Sequence, residues 1–123
     1  MIGYVTLGTN DMTRAGKFYD TLLAAFGAKR VFETERYIAW GTGPTAPMLF
    51  VILPYDGKPA TVGNGAMVSL AARSTAEVDA VYKKAIELGG KDEGVAGPRG
   101  DDFYAGYFRD LDGNKLAVFH SPQ

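Results

Sequence analysis

The chain of 123 residues contains no cysteine, so disulfide bonds, thiolate catalysis and cysteine metal ligands are excluded. Basic clusters are also lacking: 13 lysines and arginines face 14 acidic residues, for a net charge of −1. This balance argues against the electrostatic footprint of a nucleic-acid or membrane-surface protein. No apolar run approaches the roughly 20 residues of a membrane helix, and no signal-peptide pattern is recognisable. We therefore expect a cytoplasmic protein whose partners include neither nucleic acid nor a membrane.

The composition is that of an ordinary globular protein. Hydrophobic residues make up 46% of the chain and charged residues 22%, which is enough to build a real core. The length falls in the usual range of one domain, so residues 1–123 are predicted to form a single domain.

An internal repeat organises this chain, because residues 67–90 lie over residues 4–27 without a gap. The apolar positions of both copies follow helical spacing, after a short segment rich in β-forming residues. Identical or similar residues recur at equivalent positions: Val5 and Val68, Thr6 and Ser69, Leu7 and Leu70, Tyr19 and Tyr82, Gly27 and Gly90. Each copy predicts a strand followed by an amphipathic helix, and two copies predict two half-domains.

The remaining patterns extend each copy to the order β-α-β-β-β. Glycines end both predicted helices, and Asp112-Gly113 between two apolar runs indicates a hairpin. The predicted modules cover about residues 1–54 and 66–123, with a polar linker at 55–65. In the first module we predict strands at 2–7, 28–33, 37–41 and 48–53, and a helix at 12–26. In the second module we predict strands at 67–71, 103–109 and 115–120, and one short strand near Val95. Its helix is capped by Ser74 and Glu77 and ends near residue 88.

The doubled order, the first segment Tyr4-Val5-Thr6-Leu7-Gly8, Phe18-Tyr19 and the closing run at 110–116 together resemble the vicinal oxygen chelate superfamily. That superfamily includes glyoxalase I, extradiol dioxygenases and bleomycin-resistance proteins. The resemblance implies an α+β fold in which two paired modules form a cup-shaped mixed sheet with helices outside. It also implies a homodimer, and a cup that holds a divalent metal or a small organic ligand.

The metal ligands of that family are histidines and glutamates on the first and last strands of each module. By the resemblance, these positions fall on Tyr4, Met67 and Ala117, and the fourth lies within residues 48–52, which contain no donor side chain. Tyrosine, methionine and alanine do not replace the nitrogen and carboxylate donors that zinc or iron prefers. His120, the single histidine, lies at an odd offset from Ala117 and is expected on the opposite face. We therefore predict that the metal site is lost and that no cofactor is bound.

The same alternation predicts which side chains face the cup. Around Tyr4, Met67 and Ala117 it places Thr6, Ser69, Lys115 and Phe119, and we add Trp40 and Phe50 as aromatic residues of the cup. By the resemblance, Arg99 on its glycine-rich loop, Tyr104 and Tyr107 lie where ligands are contacted; Arg99 is alternatively solvated or paired with Asp101 or Asp102. Tyr4 is a weak catalytic candidate, since an ordinary tyrosine has a pKa near 10 and needs a cation such as Lys115 beside it.

Three functions remain open from the sequence. The first is a metal-independent protein that binds a small apolar or aromatic molecule in the cup. The alternative is an enzyme, either a glyoxalase-type lyase or a dioxygenase-type oxidoreductase. Its site would be metal-free or would hold a metal at a non-standard place, through Asp101, Asp102 or His120. In the third, the cup is vestigial and the protein acts through its surface.

Overall fold

The computed structural model describes residues 1–122, so the last residue of the second predicted module lies outside the described residues. The chain folds into two compact units, one spanning Met1–Val62 and the other beginning at Gly63. The boundary falls inside the glycine-containing segment that was predicted as a linker. Part of that segment is held by the first unit, because the Asn10 side chain accepts a hydrogen bond from the Ala60 N–H at 2.7 Å.

The first unit is a four-stranded mixed sheet with one helix packed on it. Its elements are β1 (Tyr4–Gly8), α1 (Met12–Ala24), β2 (Lys29–Glu33), β3 (Tyr37–Gly41) and β4 (Met48–Ile52). Along the sheet the order is β1-β4-β3-β2, with β1 parallel to β4 and the other neighbours antiparallel.

The second unit repeats this plan. Its elements are β5 (Val68–Ala71), α2 (Thr75–Glu87), β6 (Lys91–Pro98), β7 (Tyr104–Arg109) and β8 (Lys115–His120). The strand order in its sheet is β5-β8-β7-β6. Both helices contain 13 residues and begin at equivalent positions of the sequence repeat. The predicted α+β fold with two β-α-β-β-β modules is confirmed. Neither sheet closes on itself.

Both helices begin at side-chain caps that the sequence contains. Asp11 accepts a hydrogen bond from the Arg14 N–H, and Ser74 accepts one from the Glu77 N–H, each of which satisfies an amide that has no partner inside the helix. Glu77 reaches back as predicted, although its carboxylate accepts from the Arg73 N–H, one residue before the cap. After α2 the chain turns at Gly89, whose φ of 101° lies in the left-handed region.

Each helix covers one face of its own sheet. In the first unit this layer contains Phe18, Tyr19 and Leu22 of α1 with Trp40 and Val51 of the sheet, all nearly inaccessible to solvent. In the second unit Val78, Val81 and Ala85 of α2 are buried, as are Leu116 and Val118 of β8. Apolar area removed from water here stabilises each unit by about 25 cal/mol per Å². Among the described residues, no helix is long and apolar enough to cross a membrane.

Strand β6 is the element that differs most from its prediction. It spans eight residues, whereas only a short strand near Val95 was expected. Its pairing with β7 shifts register between Asp92 and Gly94 and again between Gly94 and Gly97. Such irregularities break the period-two pattern by which a strand is recognised in sequence. Pairing with β7, rather than an alternating apolar pattern, therefore establishes this strand.

Candidate functional site

The open face of the first sheet carries a cluster of aromatic rings. Tyr4, on β1, and Tyr37, on β3, both contact Phe50 on β4, with ring centroids 4.8 Å and 5.5 Å apart. The pairing of Phe50 with Thr6 and Ala39 places them on the same face, opposite to α1. Tyr4 remains 60% exposed even though it belongs to this cluster. The first sheet therefore presents an accessible aromatic surface that no helix of its own unit covers.

Trp40 is not brought to this surface. It is 1% exposed and lies on the other face of the sheet, where its ring centroid is 5.5 Å from that of Tyr19 on α1. Its indole N–H donates to Asp20 Oδ1 at 2.9 Å, so its polar atom is satisfied within the core. Trp40 is consequently a packing residue of the first unit, separated from Tyr4 and Phe50 by the sheet itself.

The open face of the second sheet brings together other predicted site residues. Tyr107 pairs with Ala117, and Ala105 pairs with Phe119, so these four side chains share one face. Phe119 stacks on Phe103, with centroids 5.4 Å apart and ring planes inclined by 18°. Ala117 is buried among these larger neighbours. Met67, which directly precedes β5, is 45% exposed.

Two cationic side chains lie beside Tyr107 on this face. The Arg99 guanidinium carbon is 5.5 Å from the centre of the Tyr107 ring, and the Lys115 amine is 5.7 Å from it. Arg99 also donates to the carbonyl oxygens of Val95, Gly97 and Pro98, at 2.7, 3.0 and 3.3 Å. The sequence left open a pairing of Arg99 with Asp101 or Asp102. Within residues 1–122 the structure shows neither ion pair.

Tyr104 and His120 lie on the helix side of the second sheet, where they face each other in the pairing of β7 with β8. The Tyr104 hydroxyl donates to Asp79 Oδ1 on α2 at 2.6 Å, and this carboxylate raises the pKa of Tyr104 above its usual value. His120 Nδ1 lies 3.1 Å from the Ala72 carbonyl oxygen. Neither side chain is part of the open face that contains Tyr107.

The donors that a metal requires are not assembled at the positions implied by the resemblance. Tyr4, Met67 and Ala117 supply no imidazole or carboxylate, and β4 consists of apolar side chains. Among residues 1–122, no group of three or more His, Asp or Glu side chains is arranged to hold a metal ion. The residues present therefore do not fit the divalent metal of the family.

Tyr37 is an open-face residue that sequence reasoning missed, as is Phe103 of the second unit. Alternation within β3 was available as a signal, because Tyr37 lies two residues before Ala39 and therefore on the same side. The pairing of Ala39 with Phe50 cannot be predicted from the sequence pattern. That register, set by long-range pairing, brings the Tyr37 ring against Phe50.

A groove of about 310 Å³ lies elsewhere in the first unit. None of the predicted site residues lines it. Arg36 helps to shape it, since its Nη2 donates to the Leu53 and Pro54 carbonyls at 3.1 and 3.0 Å. The groove is lined by Thr9, Asn10, Arg36, Leu53, Pro54, Gly57, Lys58 and Pro59.

Comparisons with known proteins agree with the fold. A glyoxalase/bleomycin resistance protein from Albidiferax ferrireducens is 34% identical, with 99% of each chain covered and a TM-score of 0.91. A glyoxalase-related enzyme from Fulvimarina pelagi is 22% identical over 99% of this chain and 88% of that one, with a TM-score of 0.77. A lactoylglutathione lyase from Agrobacterium tumefaciens is 23% identical over 98% and 92%, with a TM-score of 0.73. A search of curated proteins found no match.

The structures from Fulvimarina pelagi and Agrobacterium tumefaciens are less than 25% identical to this chain, so their similarity shows the fold alone. The family model of the Glyoxalase/Bleomycin resistance protein/Dioxygenase superfamily matches residues 1–118, which is nearly the whole chain. The protein therefore belongs to the Glyoxalase/Bleomycin resistance protein/Dioxygenase superfamily.

Proposed function

We propose that this protein binds a small apolar or aromatic molecule on the open faces of its sheets, without the divalent metal of its family. The observation that carries the proposal is the contact cluster of Tyr4, Tyr37 and Phe50 on a face that α1 does not cover. Exposed aromatic side chains that lie together on a soluble protein mark interaction sites. Rings in tilted contact offer both faces and edges to a further aromatic group.

The polar groups of these faces suit recognition better than catalysis. Thr6 and the Tyr4 hydroxyl lie among apolar side chains in the first unit, which is the usual composition of a small-molecule site. Tyr4 has no cationic side chain among its ring or ion-pair contacts within residues 1–122. A tyrosine without such a neighbour lacks the charge that would assist proton transfer from its hydroxyl.

The proposal is tested by following backbone amide signals of the ¹⁵N-labelled protein during titration with 2-naphthamide, an uncharged aromatic probe. We expect saturable shifts of amides in β1, β3 and β4. Tyr4→Ala should weaken binding about fivefold or more, since a lost aromatic contact is worth about 1 kcal/mol.

Tyr55→Ala is the matched control. Tyr55 is 94% exposed, lies outside the strands, and forms none of the ring contacts of the open face. Its removal should leave the affinity unchanged. Shifts spread evenly over the surface, or an equal loss in both variants, would contradict the proposal.

A further inference from the structure

The second sheet contains two cations that are held in place but are not neutralised. Among residues 1–122, neither Arg99 nor Lys115 forms an ion pair, although both lie against the Tyr107 ring. The third cation nearby is Arg109, which pairs with Glu93 at 3.2 Å. The remaining acids near Arg99, Asp101 and Asp102, are exposed on the loop that follows it. The open face of the second unit therefore has an excess of positive charge around one aromatic ring.

Arg99 is positioned by the backbone rather than left to solvent. Its three carbonyl contacts fix the guanidinium over β6, and its own N–H donates to the Phe103 carbonyl at 2.6 Å. Glycine at position 94 leaves the necessary room, because a Cβ there would lie 3.4 Å from Arg99 Nη2 and 3.0 Å from Tyr107 Cδ2. A side chain held in this way loses little conformational entropy when it binds a ligand.

The hydrogen bonds of Arg99 leave two of its five N–H groups available. Two of the bonds come from Nη1 and one from Nη2, so Nε–H and one Nη2 hydrogen have no protein acceptor within the described chain. A guanidinium that binds a carboxylate through two parallel bonds uses donors of this kind. Arg30 of the same protein does so: its Nε and Nη2 each donate to the Asp20 carboxylate at 2.8 Å.

We propose that the open face of the second sheet binds an organic anion, an aromatic carboxylate or phosphate, whose charged group contacts Arg99 and Lys115 beside Tyr107. The stacked pair Phe103 and Phe119 lies on the same sheet face and offers an apolar surface for the rest of the molecule. This inference rests on the proposed small-molecule function and adds the chemical class of the ligand. Both cations can bind the anionic group: the planar guanidinium of arginine donates directed hydrogen bonds, and the lysine amine acts as a point charge.

The test compares 2-naphthoate with its uncharged isostere 2-naphthamide, with the ¹⁵N amide spectrum of the full chain as readout. Naphthoate should bind at least about tenfold more tightly, because hydrogen bonds between charged groups are stronger than those to a neutral amide. The strongest shifts should come from the amides of residues 95–107. A third probe, 2-naphthyl phosphate, determines which anion is preferred, and inorganic phosphate determines whether the charge alone is sufficient.

Variants then assign the preference to residues. Arg99→Gln should bring the affinity for naphthoate down to that for naphthamide, and Lys115→Gln should lower it in part. Arg99→Lys keeps the charge but not the planar guanidinium, and it should give an intermediate affinity. This variant replaces Arg99→Gln in the test if Arg99→Gln does not fold. Arg36→Gln and Lys83→Gln remove matched cations from other surfaces and should change nothing; Arg36 also binds backbone carbonyls.

The outcomes separate the two proposals. Equal affinities for naphthoate and naphthamide would overturn the anion inference and leave the proposed function standing. Binding of neither probe would overturn both. A preference for naphthoate that is undiminished in Arg99→Gln, Arg99→Lys and Lys115→Gln, or that disappears in the control variants, would show that the charge is recognised elsewhere and overturn the assignment.

Discussion

Asp20 is the residue that connects the surface of the first unit to its core. Its carboxylate accepts two hydrogen bonds from Arg30 and one from the buried Trp40 indole. The hydrogen bond and charge of Arg30 lower the pKa of Asp20 below its usual value of 3.8. A lowered folded-state pKa adds stability that is present above the unfolded-state value and is lost as the pH falls through the folded-state value.

We therefore predict that Asp20→Asn flattens the dependence of stability on pH below about pH 4. At pH 7 the variant should be less stable than the native protein, and the difference should shrink as the carboxylate of the native protein is protonated. Urea unfolding midpoints from pH 2 to pH 7 measure this. Glu35→Gln, a substitution at an exposed acid that forms no ion pair within residues 1–122, is the control. Parallel profiles for Asp20→Asn and native protein would contradict the prediction.

Tyr82 gives the opposite pH dependence. Burial and its hydrogen bond to Asp92, 2.7 Å long, raise the pKa of Tyr82 to about 12. A raised folded-state pKa adds stability that is complete below the unfolded-state value of about 10 and is lost as the pH rises through the folded-state value.

Tyr82→Phe should accordingly remove part of the stability loss between about pH 10 and pH 12. Thermal midpoints of both proteins across this range provide the measurement. Tyr55→Phe changes an exposed tyrosine and should follow the native profile. If Tyr82→Phe follows the native profile as well, its hydroxyl is not coupled to folding.

At the scale of elements, the turn after α2 depends on close backbone approach. Gly90 donates its N–H to the Ala85 carbonyl at 2.8 Å. A Cβ at this position would lie 2.7 Å from the Ala85 oxygen and 2.9 Å from the Arg109 oxygen, and neither atom belongs to a flexible side chain. The repeat places Gly27 at the equivalent position after α1, where a φ of 75° is the reason for glycine instead.

We predict that Gly90→Ala destabilises the protein by about 1–3 kcal/mol, because backbone must shift to admit the methyl group. Gly43→Ala is the matched control, since a Cβ at Gly43 meets nothing within 4 Å and its φ is not positive. Chemical unfolding of both variants measures the difference. Equal free energies of unfolding for the two variants would show that the backbone after α2 accommodates a methyl group without loss of stability, and would contradict the prediction.

At the scale of the whole molecule, the donor set leads to a prediction about metal. After incubation with zinc, nickel, manganese or iron(II) and removal of unbound ions, we expect less than one metal per chain, measured by plasma mass spectrometry. The reason is that Tyr4, Met67 and Ala117 offer no strong donors for these ions. A stoichiometric, tightly held metal would instead support the glyoxalase-type or dioxygenase-type alternative and would mean that other residues had been recruited.

The exposed apolar side chains also bear on assembly, and we propose a homodimer. Ile2, Phe32 and Met67 are all more than two-fifths exposed, although each is large and apolar. Such surface is commonly covered by a partner or a ligand. Light scattering coupled to size exclusion should give twice the chain mass of 13.2 kDa at micromolar concentration. A mass of one chain at that concentration would contradict the dimer.

The helices and most strands were predictable because their signals are local. Asp11, Ser74 and Gly89 cap or end helices through contacts within a few residues, and these are visible in the sequence. Alternation likewise predicted that Tyr4 and Thr6 face away from the helix, and the pairing of β1 with β4 agrees. Trp40 was assigned to the ligand site by residue type alone, without alternation. Trp40 pairs with Leu49, and both side chains lie on the side of the sheet that α1 covers.

The sequence by itself determined the repeated strand–helix plan, its capped helices and the absence of metal donors at the family positions, since these depend on residue identity and short-range spacing. Tertiary structure alone decided which aromatic rings meet, that β6 extends to Pro98, and that Arg99 and Lys115 both lie against the Tyr107 ring. The physical reason is that these features depend on strand register and on contacts between residues distant in sequence, which period-two and helical patterns do not encode.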